Sequence, residues 1–271
     1  MLAFREAGTG APTLLLHGIG SSSRAFGHQL SALADELRMV AWDAPGYAAS
    51  ADPDTTLDLD GYVDQVAALA RDRFGDDPVH LVGVSWGGVL ALRTAAVRPG
   101  LVRSLTVIGA SLGSGADPDR AAQMRGRSGE LTRLGAAGFA RQRGPRLLAP
   151  DADPALVEHV VATMAAAVRP PGYACAAEVM AATDLSGDLG RVTVPTLVMA
   201  GAEDRVTGPD RAREIAALLP GSALVLVPGA GHLANQERPA LVNAWLRGFT
   251  RAADLLAAAQ PVTDLHERKI P

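Results

Sequence analysis

Short apolar segments alternate with amphipathic ones in the first half of the chain. The apolar segments are rich in leucine and valine, and several end in glycine or proline; they are APTLLLHG (11–18), RMVAWDAPG (38–46), VHLVGV (79–84) and SLTVIGAS (104–111). Between them, apolar residues recur every three or four positions, as in helices that bury one face; these segments are 25–37, 59–74 and 88–97. Continuous apolar strands joined by helices predict a mostly parallel sheet covered on both faces.

The pattern changes in the middle of the chain. Three helical patterns follow one another without an apolar strand between them, at 118–144, 153–168 and 172–185. Strand patterns then resume at 194–201 and 223–231, with helices at 210–219 and 239–259. We therefore predict an α/β core, a helical lid inserted into it and a C-terminal tail, with boundaries at 1–112 and 188–258, 113–187, and 259–271.

Composition narrows the possible functions. The 271 residues, 48% of them hydrophobic, can bury a large core. A net charge of −4 gives no basic surplus for nucleic acid, and the single cysteine, Cys175, cannot form an intramolecular disulfide. The N-terminus lacks the apolar core of a signal peptide, and no apolar run reaches the roughly 18 residues of a membrane helix. We expect a soluble cytoplasmic protein without nucleic-acid or membrane partners.

A serine stands between a predicted strand and a predicted helix. Ser85 occupies the centre of Gly83-Val84-Ser85-Trp86-Gly87. A sharp strand-to-helix turn with small neighbours exposes a serine hydroxyl at the edge of the sheet where α/β proteins bind ligands. This context favours a nucleophile over a chance G-x-S-x-G match.

A nucleophilic serine needs a base and a carboxylate that orients it. His232 follows the last predicted strand and reaches the same edge of the sheet as Ser85, whereas the other histidines lie on helices, at the opposite edge, in the tail or, for His17, in a loop. Glu203 and Asp204 end the preceding strand, and we choose Asp204; Asp43 is the competitor, with a turn-capping role as its alternative. Backbone N–H groups of Trp86 and of Ile19, or alternatively Gly20, are the candidate oxyanion donors.

Four segments in this order resemble the α/β-hydrolase fold superfamily along nearly the whole chain: LLLHGIGSS, WDAPGYAAS, GVSWGG, and GAEDRV with GAGHLANQERP. Within the lid segment, the arrangement of Arg169 and Pro171-Gly172-Tyr173 before the next strand is similar to that of 3-oxoadipate enol-lactonases. The chain therefore resembles the branch that contains these enzymes and the ring-cleavage C–C hydrolases. The resemblance implies a Ser85–Asp204–His232 triad and an oxyanion hole at Ile19 and Trp86. The sequence contains no His/Cys cluster with metal-ligand spacing and no phosphate-binding loop, so we expect no cofactor or metal.

Departures from the family pattern favour an ester or lactone over a C–C bond. The C–C hydrolases usually carry an HGGG-type loop and an aromatic residue after the catalytic histidine, whereas this chain has HGIG and Leu233. Trp86 replaces the common methionine, so we expect it to narrow the acyl pocket. Leu233 is a candidate substrate contact, and Arg125, one of several lid arginines, is the candidate ligand for a carboxylate on a small-molecule substrate.

The predicted function is that of a serine hydrolase acting on a small carboxylic ester or lactone through an acyl-enzyme. Three alternatives use the same fold: a C–C hydrolase of ring-cleavage products, a cofactor-free peroxidase or lyase, and a non-catalytic small-molecule receptor. A complete triad argues against the receptor, because binding alone needs no nucleophile, base and acid together.

Overall fold

A central sheet organises the protein in a computed structural model that describes residues 1–259. In chain order its strands are β1 (Phe4–Ala7), β2 (Ala11–Leu16), β3 (Leu37–Trp42), β4 (Val79–Val84), β5 (Val102–Ile108), β6 (Thr196–Gly201) and β7 (Ala223–Val227). Their spatial order is β1-β3-β2-β4-β5-β6-β7, and only β1 is antiparallel to its neighbour. This arrangement is the predicted mostly parallel α/β sheet. The predicted tail beyond Ala259, with His266, lies outside the described residues.

Helices cover both faces of the sheet and also form an insert between β5 and β6. They are α1 (Gly27–Ala32), α2 (Leu59–Phe74), α3 (Trp86–Val97), α4 (Pro118–Arg143), α5 (Pro154–Ala167), α6 (Pro170–Ala182), α7 (Gly208–Leu218), α8 (Ala234–Glu237) and α9 (Pro239–Ala258). Helices α4, α5 and α6, called the helical insert below, occupy the segment predicted as a lid. Within residues 1–259, no helix is both long and apolar enough to cross a membrane.

The two faces of the sheet bury separate sets of apolar side chains. On β2, Leu14 and Leu16 join the core beneath α2, α3 and α7, whereas Leu15 between them joins the core beneath α1 and α9. The same alternation continues on β3 and β4. Burial on both faces explains why these strands are almost uninterrupted runs of apolar residues.

Two elements differ from the prediction. Strand β1 was not expected; its four residues are only partly buried, and they pair antiparallel with β3 at the edge of the sheet. The predicted helix 25–37 is shortened to α1, because Leu33 ends that helix and Leu37 already belongs to β3. Leu33 and Leu37 belong to different elements, although their spacing in the sequence is that of one helix.

The helical insert contacts the core through a close approach of two backbones. A Cβ on Gly172 of α6 would lie 2.2 Å from the carbonyl oxygen of Gly46, in the loop after β3. Beside this contact, the Arg169 guanidinium donates to the carbonyl oxygens of Ala48 and Ser50, at 3.0 and 2.6 Å. The Arg-Pro-Pro-Gly-Tyr segment therefore fixes α6 to the loop 44–50.

Substitution of Gly172 by alanine is expected to destabilise the protein by about 1–3 kcal/mol, because the added methyl group overlaps the Gly46 backbone. Gly129→Ala is the matched control: this helical glycine has no neighbour within 4 Å of an added Cβ, so the change should stabilise by about 0.5–1 kcal/mol. Urea unfolding measures both. Equal effects of the two substitutions would contradict the close contact.

Candidate active site

The turn from β4 to α3 holds Ser85 in a backbone conformation that is rare for residues other than glycine, with φ 53° and ψ −116°. A Cβ on Gly83 would lie 2.2 Å from the Gly87 carbonyl oxygen, and one on Gly87 would lie 2.1 Å from the Leu16 carbonyl oxygen. Only glycine fits at these two positions. The G-x-S-x-G pattern is therefore a steric requirement of this turn, as expected for a nucleophile elbow.

Neighbouring strands bring a second loop to Ser85. Strands β2 and β4 are parallel, with Leu16 opposite Gly83, so the loop after Leu16 lies beside the serine. A Cβ on Gly18 would lie 3.3 Å from the Ser85 Cβ, and Ile19 lines the same cavity as Ser85. The N–H of Trp86 is the first of α3 and has no acceptor within the helix. Both predicted oxyanion donors thus belong to backbone that borders Ser85.

The prediction that the Trp86 side chain narrows the acyl pocket is wrong. Its indole is fully buried and packs edge-on against Tyr62, with ring centroids 5.0 Å apart, and it does not line the cavity that contains Ser85. The side chain of the first helical residue points back into the core rather than towards the nucleophile. The Trp86 side chain therefore cannot narrow the acyl pocket.

His17 connects two loops of the site as a neutral ring. Its Nε2 accepts from the Ala44 N–H at 3.0 Å, which leaves Nδ1 to donate to the Gly18 carbonyl oxygen at 2.8 Å. Burial lowers the pKa of His17 to about 4, although Gly18 and Asp43 act in the opposite direction. Asp43 accepts from the backbone N–H groups of Ser23 and Ala49. These contacts correspond to the turn-capping role that was the alternative prediction for Asp43.

Asp204 lies in a dense set of hydrogen-bond donors. Its Oδ2 is 2.9 Å from Nδ1 of His232, and Thr207 Oγ1 donates to the same oxygen at 2.8 Å. The N–H groups of Val206 and Thr207 donate to Oδ1 at 2.7 and 3.2 Å. Burial raises the pKa of Asp204, but these partners, His232 first, outweigh it and bring the pKa to about 2. Glu203 makes no such contact with His232.

The charged Asp204 determines which nitrogen of His232 is free. A carboxylate is only an acceptor, so Nδ1 of His232 carries a proton and Nε2 of a neutral ring is left as the acceptor. The ring lies over the end of β5, where a Cβ on Gly109 would be 3.1 Å from Nδ1. His232 is therefore oriented as a general base would be.

A cavity of about 620 Å³ brings the candidate residues together. Ser85, His232, Ile19 and Leu233 line it, and a substrate contact by Leu233 stays a prediction. No direct hydrogen bond joins the Ser85 hydroxyl to His232 among the described residues; such bonds often tighten only when substrate binds. The cavity thus brings together Ser85, an imidazole that is hydrogen-bonded to a buried carboxylate, and the loop that contains Ile19.

The prediction that Arg125 binds a substrate carboxylate is wrong. Its exposed guanidinium forms two hydrogen bonds with Glu178, at 2.8 and 2.9 Å, and lies outside the lining of the cavity. Arg127, two positions later on α4, does line the cavity. Side chains two positions apart point to different sides of a helix, so only one of these two arginines can face the site.

Residues 13–245 match the family described as the alpha/beta hydrolase family. The chain belongs to the alpha/beta hydrolase family. Among curated relatives, the dihydrolipoyllysine-residue acetyltransferase component of an acetoin cleaving system from Pseudomonas putida is 30% identical over 89% of this chain. The chain spans only 64% of that longer protein. The 2-(acetamidomethylene)succinate hydrolase of Mesorhizobium japonicum is 28% identical, over 93% of this chain and 92% of that protein.

Solved structures give the same result. An esterase from Thermogutta terrifontis, solved with malate bound, superposes with a TM-score of 0.85 at 27% identity, over 93% of both chains. An enol-lactonase from Burkholderia xenovorans superposes with a TM-score of 0.82 at 22% identity, over 92% of this chain and 96% of that chain. At 22% identity, the similarity to the enol-lactonase shows only that the two proteins share a fold. The predicted superfamily is confirmed for this alpha/beta hydrolase.

Two supporting residues were missed from the sequence. Thr207 Oγ1 lies 2.8 Å from Asp204 Oδ2 and 3.1 Å from the Gly109 carbonyl oxygen, so its single proton is shared between these two acceptors. Its position three residues after Asp204 is typical of an Asx turn. Glu237 accepts from the N–H groups of Gly231 and Ala149, at 2.9 and 2.7 Å. The Glu237 contact with Ala149 joins residues 88 positions apart, so no local pattern indicates it.

The lowered pKa of Asp204 can be tested by following its carboxyl NMR resonance as the pH is lowered. Its ordinary value is 3.8, and the lowered folded pKa near 2 means that Asp204 stays ionised while ordinary aspartates titrate. The stabilisation from this charge is present above about pH 4 and disappears as the pH falls through about 2. With carboxyl-labelled aspartate, one resonance should remain unchanged from pH 7 to about pH 3 and be missing in Asp204→Asn. A resonance so assigned that titrates near pH 4 would contradict this environment.

Proposed function

We propose that this alpha/beta hydrolase cleaves a small carboxylic ester or lactone through an acyl-enzyme on Ser85. The observation that carries the proposal is the hydrogen bond of 2.9 Å between the buried Asp204 and His232, at the same cavity as the strained Ser85. A buried carboxylate that orients an imidazole at the same cavity as a half-buried serine has a clear chemical use, whereas a purely structural role does not require these three groups together.

In the proposed reaction, Nε2 of His232 takes the Ser85 proton as the serine oxygen attacks the substrate carbonyl carbon. Negative charge then develops on the carbonyl oxygen, where the N–H groups of Ile19 and Trp86 donate. Asp204 stabilises the imidazolium. His232 next protonates the leaving alkoxide, which for a lactone stays attached to the acyl group. Water, deprotonated by His232, finally releases the carboxylic acid and restores Ser85.

The helical insert acts as a lid in this proposal. Phe139, Val160, Met164 and Tyr173 come from its three helices and line the cavity together with Ser85. Their apolar side chains exclude water from the acyl group and strengthen the electrostatic interactions with the oxyanion. The hydrolase and esterase names among the relatives support an acyl substrate for this chain as well.

A panel of substrates tests the proposal. It contains short p-nitrophenyl esters, a muconolactone-type enol-lactone and a ring-cleavage dienoate. Ser85→Ala should lower kcat/KM for the best ester or lactone by about 10⁴- to 10⁶-fold, because the covalent step is lost. Circular dichroism establishes that the variant is folded. Turnover of the dienoate alone would favour the C–C hydrolase instead.

Asp204→Asn probes the orienting carboxylate separately. An amide in place of the carboxylate can donate to Nδ1 and so favours the tautomer in which Nε2 is blocked, and we expect kcat to fall by about 10⁴-fold. Glu203→Gln is the matched control, since Glu203 does not contact His232, and its kcat should stay within about twofold of wild type. Comparable losses in the two variants, or full activity in Ser85→Ala, would refute the proposed triad.

A further inference from the structure

The cavity that contains Ser85 is lined by cationic side chains and by no acidic ones within the described part of the chain. Its arginines are Arg127, Arg143, Arg146 and Arg205. The whole protein carries a net charge of −4, so this concentration of positive charge is local. A wall with several guanidinium groups and no carboxylate attracts an anion into the cavity.

A turn inside α4 places two of these arginines together. Gly135 has φ 65° and ψ 166°, a conformation available essentially to glycine, and it divides α4 into two helical halves. Across the turn, Glu130 accepts from Gln142 and Arg143 at 2.6 and 3.0 Å, so the second half folds back along the first. Arg127 of the first half and Arg143 of the second therefore face the same space.

The partners of these two arginines differ. Arg143 is neutralised by Glu130, at 3.0 Å. Arg127 is half-buried and makes no ion pair with any residue in 1–259; its Nη1 instead contacts the Met124 sulfur at 3.4 Å. Burial lowers the pKa of Arg127, and the charge of Arg143 adds to this effect, whereas Tyr173 and Glu130 act in the opposite direction. A guanidinium that is partly removed from water and has no carboxylate partner gains most from a bound anion.

The same arginines also border a second opening. Arg127, Arg143 and Arg146 line a cavity of about 540 Å³, together with Gln123, Gly126, Glu130 and Arg133. Glu130 is the single acid among these lining residues, and it is already paired with Arg143. The three shared arginines thus separate the outer cavity from the one that contains Ser85.

We propose that Arg127 binds a free carboxylate of the substrate, so that the natural substrate is an ester or lactone of an acidic compound. This inference rests on the proposed function and specifies its substrate class. The Arg127 guanidinium, which shares the cavity lining with Phe139 and Tyr173, matches a carboxylate at the end of an apolar chain, because its two parallel N–H groups fit the two oxygens of that group. Arg146, which lines the same cavity, adds positive charge around it.

Two esters of equal acyl length test this inference. Mono-4-nitrophenyl glutarate carries a terminal carboxylate, and 4-nitrophenyl pentanoate is its neutral counterpart. We expect wild-type kcat/KM to favour the glutarate by about 10- to 100-fold, the value of a charged hydrogen bond. Arg127→Ala should remove this preference through a higher KM for the glutarate, with less than about threefold change for the pentanoate.

The chain offers matched controls. Arg125→Ala removes an arginine of the same helix that is paired with Glu178 outside the cavity, and it should leave both esters unchanged. Arg127→Lys keeps the charge without the paired N–H groups and should restore part of the preference. An unchanged ratio of the two esters in Arg127→Ala would overturn the inference.

A binding measurement separates this inference from the proposed function. Glutarate itself should bind to the Ser85→Ala protein in calorimetry and bind at least about tenfold more weakly to Ser85→Ala/Arg127→Ala. Glutarate binding that depends on Arg127 would support the subsite even if no ester in the panel is hydrolysed. Equal binding to both proteins, with normal hydrolysis by wild type, would refute the subsite and leave the proposed function intact.

Discussion

The close packing of β2, β4 and α3 around one turn is the constraint on which the site depends. Gly83 and Gly87 let three backbones meet where a single methyl group would overlap a carbonyl oxygen. That contact forces Ser85 into its unusual conformation and points it away from the core. It also places the loop after Leu16 beside the serine. Ser85 and the neighbouring loop 17–20 are therefore positioned by backbone packing.

The remaining groups are held by hydrogen bonds between loops. Neutral His17 joins the Gly18 and Ala44 backbones, and Thr207 joins Asp204 to the end of β5. These contacts connect loops that follow four different strands of the sheet. Buried polar groups with satisfied hydrogen bonds give a site its fixed geometry, since leaving any of them unpaired costs free energy.

Much of this architecture could be predicted from the sequence, for reasons that particular residues make clear. Buried parallel strands need apolar residues on both faces, so β2, β3, β4 and β5 were recognisable, and the elbow around Ser85 has a steric signature. Strand β1 has no such signature because its residues are half-exposed. The two arginines of α4 show the limit: Arg125 was expected at the cavity, but Arg127 lines it. The face of α4 that meets the cavity depends on how the helix packs against its neighbours, which is a tertiary feature.

The loop that carries His232 is attached to the helical insert as well as to the core. The His232 N–H donates to the Leu147 carbonyl oxygen at 2.9 Å, and Glu237 bridges Gly231 to Ala149. Both partners lie between α4 and α5. An outward displacement of this segment would stretch the bonds that orient the imidazole. In the proposed mechanism, an insert that moved outward to admit a substrate would therefore also misalign His232.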